Sequence, residues 1–329
     1  MIPLDKLKNI KHLVTHGPAC PDGISSALIV KDALPDVRVS FMAYNTAELA
    51  ALKAEPGLLF VDFTPPRDRV AEFVEAGAIC LDHHPTAKDI VEAFGENGVF
   101  GENEKNECGA WLAYTEVWKQ IAEPKYTHAW AHERDKVRDF AQLAAIRDTW
   151  KKDDPRWQQA CEQAATLVFF GVDRFLGMSW GFVEDQIESV GSVLLDKQLS
   201  AARRSIEEAH CFTSAAKGTK VLAFQGVSTT SDVAELMDNE KDEQNPFQRL
   251  VDDVYHPDLV VGFHYRSDAG KLQLQFSMRS HTGYDCAAFA KAHGGGGHKA
   301  AAGFTVEVSP EIGVNPYRLF QLLLDEWEG

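Results

Sequence analysis

Asp82, His83 and His84 follow one another directly after a short apolar run, Gly77-Ala78-Ile79-Cys80-Leu81, and Pro85 closes the stretch. One acid and two imidazoles offer hard oxygen and borderline nitrogen, a donor mix that suits Mn²⁺, Zn²⁺ or Fe²⁺. The run before them reads as a buried strand, so the triplet stands where that strand should end. In open α/β sheets, ligands bind at the carboxyl ends of strands. Alone, such a triplet is equally the start of an inert loop. Its value comes from recurrence. Lys11-His12-Leu13-Val14-Thr15 ends at His16, and Gly57-Leu58-Leu59-Phe60-Val61 ends at Asp62. Three strand-like runs each deliver a metal-ligand type at the C-terminal end, and the three are read as one site.

The loop after His16 adds Cys20 and Asp22 in the pattern H-x-x-x-C-x-D-G. A loop can direct the i, i+4 and i+6 side chains at one cluster of cations, and Gly23 permits an unusual backbone angle there. The plain alternative is that Asp22 and Gly23 form a turn ahead of a helix. Asp148 is a further acid after an apolar run, Leu143-Ala144-Ala145-Ile146, and reads either as a ligand or as a helix-terminal acid. The segment 107–122 reads as a helix starting near Cys108, where small residues would let a phosphate approach its N-terminus; simple packing stands beside that reading. His128 and His132 are four apart with Glu133 adjacent, but the segment is dense in charge and reads as a solvated helical face.

These residues need elements to carry them. Residues 12 to about 85 alternate short apolar runs with helix-like segments, which implies a mostly parallel sheet. Ile24 to Leu34 reads as a helix, with Ser25-Ser26-Ala27 small enough for close packing. Arg38 to Tyr44 alternates like a strand. Residues 67–76 place Val70, Phe73 and Val74 on one helical face. Residues 183–210 form a long, mostly helical stretch, the natural domain connector. Beyond it, Lys220 to Phe224 and Leu259 to Phe263 read as strands, and Leu272 to Met278 alternates strictly before Arg279-Ser280. Residues 285–293 are helical. Gly294-Gly295-Gly296-Gly297-His298-Lys299 follows, where four glycines bare backbone N–H groups to a phosphate or ribose. A flexible linker is the plain alternative. Asn239 to Pro246 reads as an exposed loop.

The 329 residues allow one to three domains. The formal net charge is −16. That favours a small phosphorylated substrate, held through metal ions and local cations, over a long duplex. No apolar run approaches the roughly 20 residues of a membrane span, and no signal peptide is legible at Met1-Ile2-Pro3-Leu4. The six cysteines are scattered without a C-x-x-C pair. This fits reduced thiols and a cytoplasmic location.

Together the motifs resemble the DHH phosphoesterase superfamily, in its subfamily with a C-terminal DHHA1 domain, over nearly the whole chain. His16 to Gly23 resembles its first motif, Asp62 its second, Asp82-His83-His84 its third and Asp148 its fourth. Gly294 to Phe304 resembles the glycine-rich DHHA1 signature, with Arg279-Ser280 upstream. The resemblance implies an α/β protein: a parallel-sheet DHH domain over residues 1–182, a helical connector over 183–212, and a smaller α/β DHHA1 domain over 213–329. The active site is then expected in the interdomain cleft.

It implies two divalent metal ions, Mn²⁺ by family habit. His16, the Cys20 position and Asp62 would hold one; Asp22, Asp62, His83 and Asp148 would hold the other. Asp82 is expected to orient ligands and His84 to contact the substrate phosphate. Arg279, Gly295, Gly296, Gly297 and His298 are expected to grip the rest of the substrate. The implied activity is hydrolysis, by a metal-bridged hydroxide, of phosphodiester or phosphomonoester bonds. The implied substrates are short oligonucleotides, cyclic dinucleotides or nucleotide bisphosphates. No membrane partner is expected, and a homodimer is left open.

Cys20 departs from the family, which usually has Asp there. A thiolate leans toward Zn²⁺ or Fe²⁺. A catalytically weak nucleotide-binding or regulatory protein is therefore the alternative. An inorganic pyrophosphatase is disfavoured, because relatives of that kind carry another C-terminal domain.

Overall fold

Leu13, Leu59, Val61, Ile79 and Leu81 pack into one buried cluster, whereas Val14, Leu58, Phe60 and Cys80 pack into another. Successive strand side chains point to opposite faces, so these runs belong to a sheet covered on both sides. The computed structural model contains that sheet. It describes residues 2–44, 46–125, 131–226, 230–238, 257–268, 270–280, 282–309 and 313–329. The chain divides into two units, Met1–Leu195 and Asp196–Gly329.

The first unit is built on β1 (His12–His16), β2 (Arg38–Met42), β3 (Leu58–Val61), β4 (Ile79–Asp82) and β5 (Gly98–Phe100). Their order is β2-β1-β3-β4-β5 and every neighbouring pair is parallel. Parallel strands covered on both faces are apolar throughout, which is why the runs before His16, Asp62 and Asp82 stand out. The helices are α1 (Leu4–Lys8), α2 (Pro21–Ala33), α3 (Ala47–Ala51), α4 (Val70–Glu75), α5 (Lys88–Ala93), α6 (Gly109–Leu112), α7 (Lys119–Ile121), α8 (Ala131–Asp148), α9 (Trp157–Phe170) and α10 (Trp180–Glu207). Ile24 and Leu28 of α2, Ala110 of α6 and Phe140 of α8 join the first cluster. Leu49 of α3, Phe73 of α4 and Ile90 of α5 join the second.

Helix α2 carries no polar face. Ile24 through Val30 are all buried, the pattern of a core helix, and each fully buried Leu or Ile stabilises the fold by roughly 1.5–3 kcal/mol. Its start is fixed by Pro21 at the first helical position and by Cys20, whose sulfur accepts from the Gly23 N–H. The helix expected over 107–122 begins at Gly109 and is interrupted: a π-helical turn, Ala113–Trp118, separates α6 from α7. Before α4, Arg67–Arg69 forms a 3₁₀ turn, so the expected helix starts late and buries Phe73.

The second unit holds β6 (His210–Thr213), β7 (Lys220–Gln225), β8 (Leu259–Asp268), β9 (Lys271–Arg279), β10 (Gly296–His298) and β11 (Ala301–Glu307), in the order β10-β11-β9-β8-β7-β6. Only β7 and β8 run parallel; the other pairs are antiparallel. The helices are α11 (Thr230–Asp238), α12 (Cys286–Ala292) and α13 (Pro316–Glu328). Alternation along β9 buries Leu274, Phe276 and Met278 with Phe289 of α12 and Phe320 of α13. The opposite face packs Leu222, Phe224 and Val260 against Val233 and Ala234 of α11.

The glycine run is not an unstructured linker. It forms the turn into β10, and β10 pairs with β11. A Cβ on Gly295 would collide with the Gly303 carbonyl, and one on Gly297, at φ 137°, would lie 2.5 Å from the Ala301 carbonyl oxygen. Helix α10 spans the boundary between the units. All six cysteines are free thiols. Among the described residues no helix is long and apolar enough to cross a membrane. His128 and the loop expected over 239–246 lie outside the described residues.

Candidate metal centre

Strand register carries the ligand types to one edge. Thr15 of β1 pairs with Val61 of β3, and Val61 with Leu81 of β4. One residue further on, His16, Asp62 and Asp82 form a row across three adjacent strands, at spacings of about 4.8 Å. β2 lies on one side of β1 and β3 on the other, so this edge includes a topological switch point, where α/β sheets open a crevice. Asp62 adopts φ 55°, a left-handed conformation that costs a non-glycine residue roughly 1–3 kcal/mol and persists where the surroundings enforce it. Its N–H donates to the Leu81 carbonyl at 3.0 Å.

Two trios of donors result. One ligand atom from each of His16, Cys20 and Asp62 lies within 4.8 Å of the others, and the same holds for Asp22, His83 and Asp148. His83 Nε2 is 3.4 Å from an Asp62 oxygen, 3.4 Å from an Asp148 oxygen and 3.8 Å from an Asp22 oxygen. Asp62 thus belongs to the first trio and touches the second. Asp148, the last residue of α8, puts a negative charge at a helix C-terminus, which the macrodipole disfavours by about 0.3–1 kcal/mol; its contact with His83 offsets that cost.

The charges are crowded. Asp22 and Asp62 are each 2% exposed. Burial, then the neighbouring Asp62 and Asp148 carboxylates, push Asp22 well above the usual carboxylate range. Asp148, whose side chain is 29% exposed, is also raised by its enclosure at the site, against the pull of His83. Burial would lower His83, but Asp148, Asp62 and Asp22 outweigh it and raise it well above the ordinary imidazole value. His83 is therefore the counter-charge to three acids. Burial lowers His16, leaving a neutral imidazole. Mutually repelling acids beside imidazoles are a donor set suited to divalent cations, so the residues present fit such ions.

Asp82 has a different surrounding. Its Oδ1 accepts from the N–H groups of His83 and His84 at 2.7 and 3.0 Å, and from His84 Nδ1 at 2.7 Å. Burial would raise it, yet the His84 imidazole prevails and holds the carboxyl at about 2. Asp82 thereby fixes the direction of His84. Cys20 is a protonated thiol here: burial, then Asp62, push it well up, and its S–H donates to Asp62 Oδ2 at 3.3 Å. His132 is 61% exposed and pairs with Glu133 at 3.5 Å, on the solvated face expected for that segment.

In the second unit, Arg279 pairs with Ala301, and Ala301 with His298. Directly opposed residues share a face, so Arg279 and His298 flank a small residue, two strand spacings or about 10 Å apart. Arg279 Nε donates to Ser231 Oγ at 3.0 Å, and Nη1 to Ser277 Oγ at 3.2 Å and the Met278 carbonyl at 2.8 Å.

No protein-family model matches the sequence, and no curated protein matches it. Among solved structures, the chain resembles a DHH-domain protein described as a member of the s1p family of ribosomal proteins. The TM-score is 0.57 at 11% identity, over 98% of this chain and 88% of that one. The chain has the DHH-domain fold. RecJ from Thermus thermophilus, solved with Mn²⁺, is matched at 15% identity and TM-score 0.49, over 98% of this chain and 53% of that one. A pGpG-specific phosphodiesterase from Vibrio is matched at 12% identity and TM-score 0.38, over 97% of this chain and all of that one.

The DHH unit contains supporting residues that the motifs do not name. Asp22 accepts from the Gly109 and Ala110 N–H groups at 2.7 and 2.8 Å and from the Cys108 thiol at 2.9 Å. The helix start near Cys108 is thus engaged by an acid of the chain itself, which favours the packing reading over the phosphate one. A Cβ on Gly109 would lie 2.5 Å from Asp62 Cβ and 2.7 Å from Asp22 Oδ2. Asn103 Oδ1 accepts from His83 Nδ1 at 2.9 Å, which directs His83 Nε2 to the acids. The one sequence signal was the small-residue start at Cys108-Gly109-Ala110; Asn103 and Ser231 carried none.

Proposed function

We propose that the protein is a metal-dependent phosphoesterase acting on nucleotides or short oligonucleotides. The observation that carries this is the convergence of His16, Cys20, Asp22, Asp62, His83 and Asp148 at one edge of the DHH-fold sheet, with donor trios that meet at Asp62. His16, Cys20 and Asp62 would hold one divalent ion, and Asp22, Asp62, His83 and Asp148 the other. Bound there, such ions lower the pKa of a water and offset charge on phosphoryl oxygens.

The chain's own groups supply the rest. Cys108, Gly109 and Ala110 hold Asp22, and Asn103 turns His83. Asp82 grips His84 Nδ1, and we assign to the other ring nitrogen of His84 a hydrogen bond to a phosphoryl oxygen, strongest as negative charge develops there. Arg279, His298 and the backbone of Gly295, Gly296 and Gly297 would bind the remainder of the substrate, so that its binding energy positions the scissile phosphate. Mn²⁺ is the metal family habit suggests, with Zn²⁺ or Fe²⁺ favoured by the Cys20 sulfur.

Purified protein incubated with bis(p-nitrophenyl) phosphate and Mn²⁺, Zn²⁺, Fe²⁺ or Co²⁺ tests the reading. Hydrolysis that depends on the metal and disappears in Asp62→Ala supports it. The Cys20 thiol, held protonated against Asp62, favours a second reading, a nucleotide-binding protein with weak catalysis. No turnover with any metal, together with turnover in Cys20→Asp, would decide for that second reading.

A further inference from the structure

A surface tyrosine ordinarily buries its ring and leaves its hydroxyl in water. Tyr44 is arranged the other way round. Its hydroxyl accepts from the Thr64 N–H at 3.2 Å and lies 3.2 Å from Thr64 Oγ1, and Thr64 is 1% exposed. Burial pushes the Tyr44 hydroxyl above the usual phenol range. Yet the residue as a whole is 41% exposed. The hydroxyl is tied to a buried residue, while the residue as a whole stays at the surface.

The ring is also fixed from a second direction. It stacks on Phe63 with centroids 4.4 Å apart and planes 25° apart. Phe63 is fully buried and stacks on the His16 imidazole at 6.1 Å and 23°. Phe63 and Thr64 directly follow Asp62 in sequence, so Tyr44 is anchored to the strand end that carries the central carboxylate. Its ring centroid is 6.5 Å from that of His16.

We propose that Tyr44 is a stacking platform for a nucleobase attached to the phosphoryl group that the metal centre receives. This rests on the phosphoesterase reading and assigns the residue by which it would tell a nucleotide from a sugar phosphate or polyphosphate, which has no π-face to stack. Base–aromatic stacking tolerates every base, so Tyr44 selects for the presence of a base and not for its identity.

The test compares AMP with ribose 5-phosphate by calorimetric titration of Zn²⁺-loaded protein. Wild type is expected to bind AMP about 5- to 150-fold more tightly, the value of one stacked base. Tyr44→Leu should bring the two affinities within about twofold, and Tyr44→Phe, which keeps the ring, should retain most of the preference. A second readout needs no truncated variant. With ring-¹³C tyrosine, AMP should shift one of the seven tyrosine signals, and ribose 5-phosphate should leave it in place; its absence from Tyr44→Phe assigns it. Equal affinities in wild type, an AMP preference that survives Tyr44→Leu, or no base-dependent shift overturns the proposal. Neither readout requires turnover, so failure here and failure to hydrolyse a phosphodiester are separate results.

Discussion

The ends of the two sheets pose opposite electrostatic problems. At the first, the buried Asp22, Asp62 and Asp82 and the more exposed Asp148 crowd around His83 and His84, and Asp62 and Asp148 push Asp22 up. At the second, a cross-strand row runs Val260, Arg279, Ala301, His298 with no acid in it. One edge gathers acids; the other sets a guanidinium and an imidazole in one cross-strand row. The chain's net charge of −16 describes neither edge. What decides binding is which charges the strand register sets side by side, and the register sorts acids to one sheet and Arg279 to the other.

The largest expected effect comes from removing the acid that both donor trios approach. Asp62→Ala should lose both metal ions by elemental analysis and lower phosphodiester hydrolysis by well over 100-fold. Loss of an outer partner alone costs about 10–100-fold in metal affinity, and Asp62 is more central than any such partner. A metal count equal to wild type would break the comparison at its first term. Gly109→Ala should come next. Its new Cβ would push on Asp62 and Asp22 together, destabilise the fold by about 1–3 kcal/mol as an overpacked site, and weaken metal binding about 10–100-fold. Thermal melting and metal titration check the two halves separately.

How much of this was legible in the sequence follows from where the information lies. Apolar runs before His16, Asp62 and Asp82 report strands, and doubly covered parallel strands make such runs conspicuous. Short elements such as β5, three residues long, have no periodicity to read. Asp22 finds its partners Cys108, Gly109 and Ala110 across 86 to 88 residues, and Asn103 reaches His83 from a single 3₁₀ turn 20 residues away. Long-range hydrogen bonds between unlike segments leave no local pattern. The glycine run was visible, but its tight fit against β11 appears only once the strands are paired. Tyr44 read simply as the end of a strand, because the inward turn of a hydroxyl is a property of Thr64 and not of spacing.

A smaller effect is expected at the second edge. Arg279→Ala should raise KM for a dinucleotide about 10- to 100-fold, the worth of a charge-assisted hydrogen bond of roughly 1.5–3 kcal/mol, with His298→Ala somewhat less. Hydrolysis of bis(p-nitrophenyl) phosphate, which leaves little beyond the scissile group to grip, should change less than twofold to threefold, roughly the scatter of an uninvolved surface change. Equal losses on both substrates would show that Arg279 supports the sheet through Ser231 and Ser277 and does not read the substrate.

Cys20→Asp should have the smallest effect on the fold and the most informative one on metal choice. Aspartate caps helices as well as any residue, so the start of α2 is preserved. The change removes the thiol that donates to Asp62 and puts another carboxylate beside it, which raises repulsion in the metal-free protein. A hard cation relieves that repulsion. The rise in Tm on adding Mn²⁺ should therefore be larger in Cys20→Asp than in wild type, because a ligand that binds only the folded state stabilises by its occupancy. The ratio of Zn²⁺ to Mn²⁺ affinity should fall by about tenfold, or 1.4 kcal/mol, as a soft donor is replaced by a hard one. An unchanged ratio would place Cys20 outside the ligand set and leave it as a helix cap alone, and the first edge would then rest on His16 and Asp62 for its first ion.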